Sequence, residues 1–172
     1  MDIDAFADES TSKNSEEKKK PKTGRRMKLR RGITVDTAAA NNVMPKRMVK
    51  GKMRIRESEA SRKGVHYVAA NNGRIPNEGE VDFPFMTNEG QQEEWVFQIA
   101  EVNKALGSVA YLVDRNYRVT FDKDMKTGKD ISFMKNKATG STARFRRERN
   151  VWVLDAIIEE ERDPKQGFQR RA

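Results

Sequence analysis

The chain has 172 residues, a net charge of +9, no cysteine and a single histidine, His66. That excludes disulfides, thiolate metal sites and any zinc centre built on several histidines of one chain. Hydrophobic and charged residues each account for 35%, enough for one cored domain but not for a chain packed throughout.

The positive charge favours polyanions as non-specific partners. No apolar run approaches the ~18 residues of a membrane span. The opening "MDIDAFADES" lacks the apolar stretch of a secretory signal. An intracellular protein, in cytoplasm or nucleus and with no membrane partner, is the expectation.

Residues 1–31 read as a disordered tail, acidic and then basic. Lys18, Lys19, Lys20, Lys22, Arg25, Arg26, Lys28, Arg30 and Arg31 follow one another with no acid between them. The segment has too few large apolar residues to offset its ordering entropy. Such a run attracts nucleic acid through counterion release or serves as a nuclear import signal; the plainer alternative is a solvated linker. Lys18, Lys19, Lys20, Lys22, Arg25 and Arg26 are the candidate nucleic-acid contacts. The end of the run, Met27 to Arg31, reads as the start of a strand entering the core.

Residues 32–156 read as one mainly β domain. Ile33 to Val35 is a short strand. "VHYVAANNGRIP" is a hairpin turning at "NNGR". A second turn, "TNEGQQ", joins Val81–Phe85 to "EEWVFQIAEV", where Trp95, Phe97 and Ile99 alternate with other side chains and define an apolar face. "ALGSVAYLVDRN" is the one helix expected, capped by Ser108. "YRVTF", "KTGKDISFM", "KATGSTARF" and "NVWVLDAII" are strands joined by turns. Residues 157–172 read as a charged tail.

His66 and the aromatics Trp95, Phe97, Tyr111, Phe121, Phe133, Phe145 and Trp152 are expected in the core. Asp82, Asp114, Asp122, Asp124, Asp130 and Asp155 are expected at solvated turns or strand ends. "DKDMKTGKD" lacks the sixth-position Gly and the closing Glu of a calcium loop. No metal site and no cofactor are expected.

The candidate site is "ITVDTAAA", where a strand runs into Asp36 and then only small residues follow. A strand-end turn accounts for an Asp and a Thr there. The wider pattern resembles the active-site motif of aspartic peptidases: apolar, any, apolar, Asp, Ser/Thr, Gly, small, small. It is most similar to the retropepsins, and among them to the proteases of copia-type retrotransposon polyproteins, copies of which are abundant in dinoflagellate genomes. "AANNGRIPNEGE", "LGSVAYLVDRNYRVTF" and "VWVLD" follow in the order of that family.

The resemblance implies a retropepsin-like barrel, closed or partly open, with one short helix. It implies a homodimer in which Asp36 of each copy meets its twin and activates a water against a peptide or polyprotein substrate. Asp36, Thr37 and Ala38 would form the catalytic loop, Asn71, Asn72 and Gly73 the tip of a flap, and Leu106, Gly107 and Ser108 the structural loop.

The family has Gly where this chain has Ala38. A positive φ there would cost Ala ~1 kcal/mol or more, and overpacking at the two-fold axis ~1–3 kcal/mol. The alternative reading is a catalytically inactive domain of the same origin that dimerises and binds nucleic acid through its basic tail. A third is a monomeric β module in which "DTAAA" is coincidence.

Overall fold

The computed structural model describes residues 24–160. The expected tail residues 1–23 and 161–172, with Lys18, Lys19, Lys20 and Lys22, lie outside them. In chain order the strands are β1 (Arg25–Lys28), β2 (Ile33–Asp36), β3 (Val43–Met44), β4 (His66–Val68), β5 (Arg74–Pro76), β6 (Gly79–Met86) and β7 (Gln92–Ile99). They continue with β8 (Ala105–Ser108), β9 (Tyr117–Thr120), β10 (Phe133–Asn136), β11 (Thr142–Arg144), β12 (Arg146–Glu148), β13 (Val151–Leu154) and β14 (Ile157–Glu160). Two short helices, α1 (Glu59–Arg62) and α2 (Val109–Asp114), interrupt them.

Nine strands form one sheet in the order β1-β14-β6-β7-β3-β8-β2-β13-β12, curled into a half-barrel. The order β11-β10-β9 makes a second sheet, and β4 pairs only with β5. The fold is therefore mainly β and open.

The spine is the β6–β7 hairpin, in register from Gly79↔Ile99 to Met86↔Gln92. Strand alternation sends Val81, Phe83 and Phe85 inward from one strand and Trp95, Phe97 and Ile99 from the other, and all six are buried. Their rings interlock, Phe83 on Phe97 at 5.4 Å and Phe85 on Trp95 at 5.1 Å.

The second sheet is tied to this spine by a buried carboxylate. Glu93 accepts from the Trp95 indole at 3.0 Å and from the Tyr117 hydroxyl at 2.7 Å. Burial, together with Glu93, pushes the Tyr117 phenol up to about 12.

Several expectations need correction. β1 and β14 fall inside the stretches assigned to polar tails, yet they pair antiparallel from Arg25↔Glu160 to Lys28↔Ile157. β1 is basic apart from Met27, whereas β14 pairs two isoleucines with two glutamates and buries Ile158 in the core. Met27 meets Ile158, and opposite charges face each other at Arg25–Glu160 and Arg26–Glu159. The helix α1 was not expected. Four residues are too few to show a period, and a capping box between Ser58 and Ser61 holds it.

His66 is exposed on β4 rather than packed. Phe133 is not part of the core cluster, whereas Trp95, Phe97 and Phe145 are buried in it and Tyr111, Phe121 and Trp152 pack on it half-buried.

Asp155 is not a solvated strand end. Its side chain is 8% exposed and lies 3.0 Å from Lys28 Nζ and 3.2 Å from Arg146 Nη2, while Asn88 Nδ2 donates to it at 3.1 Å. It thereby ties β1, β12 and the β6–β7 turn together. Burial alone would raise its carboxyl; Arg146 and Lys28 outweigh that and hold it below the usual carboxylate range.

A depressed folded-state value adds stability above the unfolded pKa of ~3.9, and that stability is lost as pH falls through the lower folded value. Asp155→Asn is expected to cost about 2 kcal/mol at neutral pH. In urea titrations the gap to the native chain should close as the pH drops below ~3.9. A gap that stays constant into acid would contradict the ion-pair account.

Candidate active site

Strand β2 ends at Asp36 because it runs out of partners there. It lies between β13, antiparallel, and β8, parallel, with Val35 beside Gly107 and Asp36 beside Ser108. The two stretches that carry most of the family resemblance, about seventy positions apart in the sequence, are thus neighbours.

Gly107 makes this approach feasible. A Cβ there would sit 3.0 Å from Ile33 Cγ2 and 3.2 Å from the Trp95 ring. Its backbone is ordinary, so the requirement is space rather than conformation.

Past Asp36 the chain turns. The Ala38 N–H donates to Asp36 Oδ1 at 2.8 Å, closing an Asx turn. Asp36 is partly exposed, and Thr37, Ala38 and Ala40 are exposed. Ala38 does not have a positive φ; among described non-glycine residues only Arg31, Asn72, Asn116, Arg149 and Asn150 do. The conformational penalty considered for Ala at this position therefore does not arise within the chain.

The loop is fixed at its far end by Asn42, a residue that sequence reasoning missed. Asn42 is 1% exposed. Its Oδ1 accepts from the Ser108 N–H at 2.8 Å, and its Nδ2 donates to the Val96 carbonyl at 3.0 Å. Ser108 works at a second point too, since its hydroxyl accepts from the Tyr111 N–H and caps α2. The signal available in the sequence was the pair Asn41–Asn42 directly before the apolar pair Val43–Met44. Polar residues in that setting are buried only with partners.

Asn71, Asn72 and Gly73 form the tip of the β4–β5 hairpin. Asn72 adopts φ 61°, and Asn71 Oδ1 accepts from the Gly73 N–H at 2.9 Å. The tip is exposed, and so is Val68 on the hairpin arm, at 68%. The base is anchored by Asn77, which is buried. Its Nδ2 donates to Gln98 Oε1 at 2.8 Å and to the Tyr67 hydroxyl at 3.2 Å.

Burial pushes the Tyr67 phenol above its usual range, while the side chains of Asn77 and Asn41 act against that shift. Asn41 belongs to the loop after Asp36. Neither Asn77 nor Tyr67 was a sequence candidate.

Arg25 and Arg26 lie on β1, away from these elements in the strand order, with Arg26 4.0 Å from Glu159. No group of three or more His, Asp or Glu able to hold a metal occurs among the described residues. No helix among them is long and apolar enough to cross a membrane. No family model, curated protein or solved structure matches the chain.

Asn42→Ala leaves a buried N–H on Ser108 and a buried carbonyl on Val96 unpaired. It is expected to cost about 2–4 kcal/mol in thermal or urea unfolding. Amide exchange at Ser108 should quicken in step. Unchanged protection of that amide would show that Asn42 does not hold the loop.

Proposed function

We propose that this chain is a retropepsin-like aspartic endopeptidase domain of retrotransposon origin, acting as a homodimer in which Asp36 of each copy supplies one carboxylate. The observation that supports this reading is the parallel β2–β8 pairing. It sets the acid of "ITVD" beside "ALGS" and backs both with the buried Trp95. The β4–β5 hairpin supports it further. Among the described residues it is joined to no other strand, and it is anchored at its base by Asn77.

In this reading the two Asp36 carboxylates share one proton, because like charges a few Å apart resist ionising together. The ionised member takes a proton from a water as that water attacks the scissile carbonyl. The protonated member donates to the carbonyl oxygen. The amide C–N bond then breaks as the nitrogen gains a proton from the pair. Thr37 would bond across to the opposite loop and hold the carboxylates in place.

The substrate is an extended peptide or polyprotein segment, closed over by the hairpin. No step needs a metal or a cofactor. Ala38 adds one methyl per copy at the contact between loops. Since its own backbone is unstrained, only that contact decides whether the methyl is tolerated.

Peptide-library cleavage at mildly acidic pH tests the reading on the native chain, Asp36→Asn and Ala38→Gly. The native chain should cleave, and Asp36→Asn should lower the rate by about 10³-fold or more. Cleavage by Ala38→Gly alone would leave a peptidase scaffold disabled by its methyl. No cleavage by any of the three, with a monomer in sedimentation, would overturn the proposal.

A further inference from the structure

The outer face of the second sheet carries an arrangement that folding does not call for. Strand register sets Phe133 between Thr120 and Arg144, and Lys135 between Arg118 and Thr142. The alternating residues turn inward: Met134 and Ala143 are fully buried, and Val119 packs on the core. Arg118, Phe133, Lys135 and Arg144 therefore share the opposite face. The three basic residues are exposed there, while Phe133 is half-buried and outside the core cluster.

Arg118 and Lys135 stand directly opposite each other on neighbouring strands, and like charges in that relation oppose pairing. Some cations elsewhere in the fold are paired with acids. Arg56 bonds Glu80 and Asp82, Arg146 and Lys28 bond Asp155, and Arg147 approaches Asp130 at 3.5 Å. Arg118, Lys135 and Arg144 form no ion pair among the described residues.

Two acids border the face, and both are engaged by backbone. Glu89 Oε1 accepts from the Arg144 N–H at 3.0 Å, and Asp122 Oδ1 from the Lys123 N–H at 2.7 Å.

We propose that this face, with Phe133 at its centre and Arg118, Lys135 and Arg144 around it, binds single-stranded nucleic acid. The exposed part of a half-buried aromatic ring on a sheet face offers a stacking platform to an unpaired base, whatever its identity. Three unpaired cations on the same face meet the flanking phosphates, and their mutual repulsion is relieved when they do. The hydroxyls of Thr120 and Thr142 add donors suited to phosphate oxygens. A duplex hides its base faces, so the ring selects a single strand. This surface is separate from the basic run at Lys18–Lys22, and it does not depend on the activity proposed for Asp36.

The test uses the full chain and a fluorescein-labelled oligothymidylate, followed by anisotropy across a salt series. Phe133→Ala should weaken binding about 5- to 150-fold with the salt slope unchanged, as expected for one lost stacking contact. Phe133→Tyr should restore it, which separates stacking from misfolding. Arg118→Gln, Lys135→Gln and Arg144→Gln together should weaken binding and lower the slope of log K against log salt by about 2.

The charge-matched control, Lys18→Gln with Lys19→Gln and Lys20→Gln, should weaken binding less than that triple change. Three results would overturn the proposal. The native chain does not bind at near-physiological salt; the tail variant abolishes binding while the sheet variants retain it; or Phe133→Ala leaves affinity unchanged, which would reduce the face to a plain anion patch.

Discussion

The absent side chain at Gly107 is the constraint on which the rest of the arrangement turns. Strand β8 runs parallel to β2 with Ile33 on one side and the Trp95 ring on the other, each within 3.2 Å of where a Cβ would stand. A methyl would need one of these side chains to give by a few tenths of an ångström. The strain would fall beside the register Asp36↔Ser108 and the bond from Ser108 to Asn42 that closes the loop. Trp95 is not free to yield. Its indole N–H is held by buried Glu93, which also takes the Tyr117 hydroxyl from the second sheet. One small residue thus sets strand spacing, acid placement and the docking of one sheet on the other.

Electrostatics adds to burial at the ends of the domain, where Leu29 and Ile158 are core residues. β1 contributes one apolar side chain to the contact, Met27, and its neighbours are basic. The antiparallel ladder to β14 and buried Leu29 keep it on the sheet, with facing charges on β14 and the bond of Lys28 to Asp155 added to them. A carboxylate buried at 8% exposure would be costly alone. Three donors from three different elements make it a junction instead. Around Phe133 the register instead gathers three unpaired cations beside one aromatic ring on a single sheet face.

Legibility in the sequence followed the strength of the local signal. The β6–β7 hairpin was readable because eight-residue strands with strict alternation leave no competing period, and α2 because Ser108 stands at its cap. Asp36 was readable because an acid between a strand and a run of small residues is rare enough to prompt comparison. What stayed hidden depends on partners distant in sequence. Nothing near Asp155 announces Lys28, and nothing near Asn42 announces Ser108. β1 and β14 were legible only in part: Met27 to Arg31 and "NVWVLDAII" read as strand, while Arg25, Arg26, Glu159 and Glu160 read as tail, and only their pairing turns that charge into complementarity. Phe133 read as core because an aromatic in an alternating strand usually is; the register that turns it outward is set by β9 and β11.

The two readings of "ITVDTAAA", a turn and a catalytic loop, do not exclude each other in this geometry. The Asx bond from Ala38 to Asp36 Oδ1 is what a strand-end turn needs. It also points the carboxylate in one direction and leaves Oδ2 without a partner among the described residues. The loop is rigid at both ends, through β8 and Asn42, and bare in the middle, where Thr37 and Ala38 carry almost no bulk. Rigid ends and a bare middle are what a contact between two copies of the same loop requires, because each must approach the other without moving its acid. In the proposed dimer each chain would supply one carboxylate, and the exposed Ala38 methyl would lie where the two loops approach.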